Sequence, residues 1–121
     1  MVTNLKVKAA RLLAAAVVVA GMAGSAWAVE TRMGRVQAHA SERWEVWGTA
    51  GETITVAIKG VGDTKLDLYV YDDEGNFITA GDDRAGVRVV QFVVTRSSYF
   101  TISVRNLGDA RSKYAISIAT Y

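Results

Sequence analysis

The segment from Leu66 to Asp83, LDLYVYDDEGNFITAGDD, leaves this chain few ways to fold. Leu66, Leu68 and Val70 alternate with Asp67, Tyr69 and Tyr71, and successive side chains on a strand point to opposite faces. One face must be core. Asp72-Asp73-Glu74-Gly75-Asn76 then brings side chains that bond their own backbone and a glycine that tolerates positive φ, before Phe77-Ile78-Thr79 resumes extended chain. The segment reads as a β-hairpin.

The same period of two recurs on both sides of it. Ile54, Val56 and Ile58 alternate with Thr53, Thr55 and Ala57; Phe100, Ile102 and Val104 alternate with Tyr99, Thr101 and Ser103; Tyr114, Ile116 and Ile118 repeat the pattern. Val87 to Val94 is apolar on both faces apart from Arg88 and Gln91, as in a strand covered on both sides. Turn residues punctuate these runs at Ala50-Gly51-Glu52, Gly60 to Asp63, Asp73 to Asn76, Gly81-Asp82-Asp83, Arg96-Ser97-Ser98 and Asn106 to Ser112. The expectation is an all-β fold, an antiparallel, jelly-roll-like β-sandwich of about seven or eight strands.

Lys6, Lys8 and Arg11 precede an apolar run from Leu12 to Ala23 and then Ala26-Trp27-Ala28. This is the pattern of a secretory signal peptide over residues 1–28. The run is shorter than the roughly 20 residues a spanning helix needs, so no membrane span is expected in the mature chain. With no cysteine there is no thiol for lipid attachment, and the predicted destination is the periplasm or the medium. Residues 29–41, with Arg32, Arg35 and His39, read as an irregular leader or an edge strand, and 42–121 as the sandwich. Taking 28 from 121 residues leaves 93, enough for one domain.

The formal charge of +2 is misleading. Three of the 14 basic residues lie within the first 28, whereas all 12 acidic residues lie beyond them, so the mature balance is eleven against twelve. No Lys/Arg stripe with interleaved aromatics is present, and nucleic acid is not an expected partner.

Catalysis is not expected either. His39 is the sole histidine and there is no cysteine, while a Ser-His-Asp site needs its base held between nucleophile and carboxylate and structural zinc needs four N or S ligands. Acidic residues and aromatics are the remaining candidates. Asp63, Asp67, Asp72, Asp82, Asp83 and Asn106 are candidate metal ligands, the ion being Ca²⁺, which takes six to eight oxygens. Asp73, Glu74 and Asp109 add to that acidic set. Solvated hairpin turns favour the same residue types. Trp44, Trp47, Tyr69 and Tyr71 are candidate partner-binding residues. Trp44 and Trp47 are an odd number apart, so only one can sit fully in the core. Tyrosine is also simply a good strand former.

The order of these pieces resembles the bacterial pre-peptidase C-terminal domain family. The resemblance runs through Trp44-Glu45-Val46-Trp47, Ala50-Gly51-Glu52-Thr53-Ile54-Thr55-Val56, Gly62-Asp63-Thr64 and Leu66-Asp67-Leu68-Tyr69-Val70-Tyr71-Asp72. It continues through Gly75-Asn76, Gly81-Asp82-Asp83, Tyr99 to Val104 and Tyr114 to Ile118. It implies a secreted β-sandwich of the kind often appended to exported enzymes, here as a free-standing copy. Lys65 stands where relatives often carry an acidic residue, and Ser97-Ser98 where they carry glycine. Ser103-Val104-Arg105-Asn106-Leu107 lacks the tyrosine-bearing strand of collagen-binding members, so collagen binding is not implied. The functional expectation is an exported, non-catalytic binding or accessory module that presents aromatic strand faces and acidic loops to an extracytoplasmic protein or polysaccharide. The alternative is a structural, self-associating subunit.

Overall fold

Alternating burial turns the sequence into two five-stranded layers. The computed structural model describes residues 6–8, 28–84 and 86–121. Ten strands lie among them: β1 (Lys6–Lys8), β2 (Ala28–Val36), β3 (Ser41–Gly48), β4 (Thr53–Gly60), β5 (Leu66–Tyr71), β6 (Phe77–Ala80), β7 (Asp82–Arg84), β8 (Val87–Val93), β9 (Ser98–Asn106) and β10 (Ser112–Thr120). One sheet has the order β1-β3-β9-β5-β6 and the other β2-β10-β4-β8-β7. All pairings are antiparallel except β1 with β3, which is parallel. The expected all-β sandwich is therefore the observed fold, with more strands than the turn spacing indicated. The expected signal peptide falls outside the described residues, save for Lys6–Lys8 and Ala28.

Of the two readings of residues 29–41, most of the segment takes the edge strand. Ala28–Val36 is a nine-residue strand that pairs with β10 from Ser112↔Val36 to Thr120↔Ala28. Its polarity reflects an edge position: Arg32, Met33 and Arg35 are exposed, whereas Gly34 and Val36 are buried. An edge strand with one partner needs little apolar sequence.

The hairpin's inward face is as expected, with Leu66, Leu68 and Val70 at 7%, 1% and 0% exposure. They meet Ile54, Val56 and Ile58 from β4, Phe100, Ile102 and Val104 from β9, and Ile116 and Ile118 from β10. Fully burying one such side chain is worth about 1.5–3 kcal/mol. Val87 to Val94 departs from its expectation. Val89, Val90, Phe92 and Val94 are buried, but Val93 is 61% exposed, because a two-layer sandwich covers only one face of each strand.

One polar chain crosses this apolar interior. The Trp44 Nε1–H donates to the Tyr114 hydroxyl oxygen at 2.7 Å, and the Tyr114 hydroxyl in turn donates to Glu42 Oε1 in a short hydrogen bond. Burial first, then the bond to Glu42, pushes the Tyr114 hydroxyl well above the usual tyrosine range. Buried polar groups are costly unless satisfied. Here the chain ties β3 in one sheet to β10 in the other. Gly34 lies directly across from Tyr114, and its missing side chain leaves room for both the ring and the carboxylate.

The β5–β6 turn is held by Asp72. Its Oδ1 accepts from the backbone N–H of Glu74 at 2.9 Å and of Asn76 at 2.8 Å, and its Oδ2 from Asn76 Nδ2 at 3.1 Å. Gly75 takes φ 85°, which the turn requires. The Asn76 backbone bond, foremost among these, holds the Asp72 carboxyl below its ordinary range. A carboxyl with a depressed folded pKa stabilises the fold above its unfolded value, about 3.9, and loses that contribution as the pH falls through the folded value. Wild type should therefore be more stable than Asp72→Ala at pH 6, with the difference shrinking below about pH 4. Thermal melts between pH 6 and pH 2 check this; a constant difference would contradict it.

Candidate functional site

The outward face of the β3-β9-β5-β6 region collects most of the aromatic candidates. Pairing aligns Trp47 with Tyr99, Glu45 with Thr101 and Arg43 with Ser103 between β3 and β9. It aligns Tyr71 with Thr101, Tyr69 with Ser103 and Asp67 with Arg105 between β9 and β5. Two edge-to-face ring pairs result. Trp47 and Tyr99 have centroids 5.0 Å apart at 72°, and Tyr71 and Phe77 have centroids 6.0 Å apart at 69°. Phe77 is 59% exposed and Tyr99 39%, so the face presents rigid aromatic area to solvent. Such area is characteristic of interface centres.

Beside Tyr71 lies a groove of about 380 Å³, walled by Ser41, Arg43, Tyr71, Gly75, Thr101 and Ser103. Arg43 is exposed, and among the described residues no carboxylate pairs with it. The Tyr69 hydroxyl, by contrast, donates to Asp67 Oδ2 at 3.0 Å. That bond foremost, with burial, raises its pKa. Asp67 is also 3.3 Å from Arg88 Nη2, which ties this corner of the face down.

Trp44 does not belong to the face. It is 3% exposed and hydrogen-bonded inside the sandwich, since β3 turns Glu42, Trp44 and Val46 inward and Arg43, Glu45 and Trp47 outward. Sequence reasoning could see that the two tryptophans part, but register and layer order decided which one is buried. It missed Arg43, Tyr99 and Phe77 as members of the face. Period two already put Tyr99 opposite Phe100 in sense, yet only the cross-strand register brings it onto Trp47.

The expected calcium ligands are dispersed. Asp72 is engaged in its own turn, and Asp83 Oδ1 accepts from Gly86 N–H at 3.1 Å. Asn106 is 1% exposed. Its Nδ2 donates to the carbonyls of Val36 at 3.2 Å and Ala110 at 2.7 Å while its Oδ1 accepts from Gly108 N–H at 2.9 Å, so it staples loops together. Asp63 and Asp82 are exposed. Asp67 and Asp83 share a cleft of about 450 Å³ with Lys65 and Arg88, and there Asp67 is paired with Arg88. Among the described residues no three His, Cys, Asp or Glu side chains are grouped to hold a metal ion.

His39, in the β2–β3 turn, contacts Asp109 Oδ1 at 2.8 Å. The two side chains are 64% and 98% exposed, where screening leaves such a pair worth little. Among the described residues, no helix is long and apolar enough to cross a membrane.

No family model matches the chain, and no curated protein matches it in sequence. Its fold is nevertheless shared with solved structures. The pre-peptidase C-terminal domain of a collagenase from Bacillus anthracis superposes with a TM-score of 0.69 at 9% identity, covering 96% of this chain and 94% of that one. PliG from Aeromonas hydrophila, a periplasmic inhibitor of g-type lysozyme, superposes at 0.63 with 14% identity over 98% of this chain and all of its own. A mutant of the Escherichia coli inhibitor superposes at 0.56 with 14% identity. These likenesses show the fold. It is a fold found both in an enzyme's accessory domain and in a protein inhibitor.

Proposed function

We propose that this protein is an exported, non-catalytic binding module that engages a protein partner through the outer face of β3, β9, β5 and β6. The observation that carries this reading is the pairing of outward-facing aromatics, Trp47 with Tyr99 and Tyr71 with Phe77, on the face whose groove holds Arg43, which has no ion pair among the described residues. Rigid rings and arginine are the groups that dominate protein interfaces, because they bury large area at low entropic cost. That one structure of this shape is a periplasmic inhibitor of an enzyme supports a protein as ligand and the extracytoplasmic space as setting. The basic and apolar character of residues 1–28 supports the same setting.

The test is capture of extracytoplasmic proteins on the immobilised chain, identification of the retained protein and measurement of its affinity. Trp47→Ala and Tyr71→Ala should each weaken binding by roughly tenfold or more, the scale of interface anchors. Met33→Ala, exposed on the other sheet, should not. Equal binding by all three variants would remove this face from consideration.

A second reading, self-association, rests on β6. This four-residue edge strand leaves Phe77 59% and Ile78 38% exposed, and open edges invite pairing. Sedimentation over a range of concentrations separates the two, a purely monomeric profile speaking against it.

A further inference from the structure

The reading above leaves open what chemistry the partner brings, and Arg43 narrows it. On the outer face of β3, Arg43 stands opposite Ser103, in a groove whose other walls are Ser41, Tyr71, Gly75, Thr101 and Ser103. Three serine and threonine hydroxyl side chains line the same groove as one guanidinium. Arginines near this face are engaged by an acid or a carbonyl: Arg88 reaches Asp67 and the Leu66 carbonyl, and Arg96 reaches Asp73. Arg105 lies opposite Asp67 across the β9–β5 pairing. Arg43 alone among these positions has neither an ion pair nor a facing carboxylate among the described residues.

We infer that the groove receives a carboxylate side chain of the protein partner, an Asp or Glu, with Arg43 as its fork and the hydroxyls of Ser41, Thr101 and Ser103 as further donors. The inference rests on the proposed binding face and names the group that face would select. A guanidinium offers two parallel N–H donors that match the two carboxylate oxygens, and the serine and threonine hydroxyls can rotate to donate as well. The Tyr71 ring, braced edge-on by Phe77, closes the groove on its β5 side and partly excludes water, which strengthens a charged hydrogen bond. A protein side chain is favoured over an acidic polysaccharide because a polyanion is tracked by a row of cations. Along β3, β9, β5 and β6 the cationic side chains are Arg43 and Arg105, and the latter already faces Asp67.

The probes are poly-L-glutamate, poly-L-lysine and polygalacturonate, titrated into the isotopically labelled protein and followed by amide NMR shifts. Poly-L-glutamate should move amides around residues 41–43, 71 and 101–103, and poly-L-lysine should not. Arg43→Gln should weaken the effect on the order of tenfold, as expected for loss of one charge-assisted pair. Arg43→Lys, which keeps the charge without the fork, should fall between. Because Arg43 is exposed and unpaired, both variants should melt like wild type. Absence of poly-L-glutamate shifts at these positions, or equal shifts in Arg43→Gln, overturns the inference. Tighter binding of polygalacturonate than of poly-L-glutamate overturns it in favour of a polysaccharide. If a captured protein partner binds Arg43→Gln as well as wild type yet loses Trp47→Ala, the carboxylate assignment fails while the binding face stands.

Discussion

Trp44→Ala should cost about 3–5 kcal/mol of folding stability, the range seen when a buried large aromatic is truncated. For a domain of this size that corresponds to a fall in melting temperature on the order of 20 °C. The residue is 3% exposed, so its removal leaves a cavity between the sheets rather than a dent in the surface. It also deprives the Tyr114 hydroxyl oxygen of its indole donor, leaving Tyr114 with its single bond to Glu42. Trp44→Phe should cost less, because it retains most of the apolar volume and forfeits chiefly that hydrogen bond. Trp47→Ala, three residues on and facing outward, should cost much less again while reducing binding. Urea denaturation of the three variants reads this order directly. Comparable losses from Trp44→Ala and Trp47→Ala would mean that the interior has been misassigned.

Gly34→Ala should destabilise the protein by about 2 kcal/mol or more, although alanine is ordinarily harmless in a strand. The added Cβ would fall 2.5 Å from both Glu42 Oε1 and the Tyr114 hydroxyl oxygen, and neither can easily retreat. Tyr114 is fully buried, Glu42 is 6% exposed, and the hydrogen bonds between them fix both side chains. The cheapest relief is for β2 to lift away, since within its sheet it is bonded only to β10. Hydrogen exchange should therefore accelerate at the amides of 29–36 before those of β4 or β9, as local opening precedes global unfolding. Native protection of β2 together with unchanged stability would show that the cradle is looser than its geometry implies.

Much of the scaffold was legible residue by residue. Leu66, Leu68 and Val70 declare their face because a strand's period leaves no other arrangement that buries all three, and Asp72 to Asn76 declare a turn through their own backbone bonds. β2 was legible only as one of two alternatives, a leader or an edge strand, for a physical reason. Its sequence, AVETRMGRV, carries little apolar alternation because an edge strand buries few side chains, and the glycine that appears to break it is the residue that admits Tyr114. The acidic residues were legible in type but not in engagement. Asp72 and Asp83 accept from backbone N–H groups and Asp67 lies against Arg88, and composition cannot distinguish an oxygen held by a backbone N–H from one free to bind a cation.

The chain by itself determined that alternate residues would be hidden between antiparallel layers, because side-chain direction along a strand is a local property of the backbone. Only the tertiary structure decided which tryptophan went inside, which aromatics met in pairs and which arginine was left without an acid. Those outcomes depend on register between strands distant in sequence, as when β3 aligns with β9 and β9 with β5. No run of neighbouring residues encodes that alignment on its own.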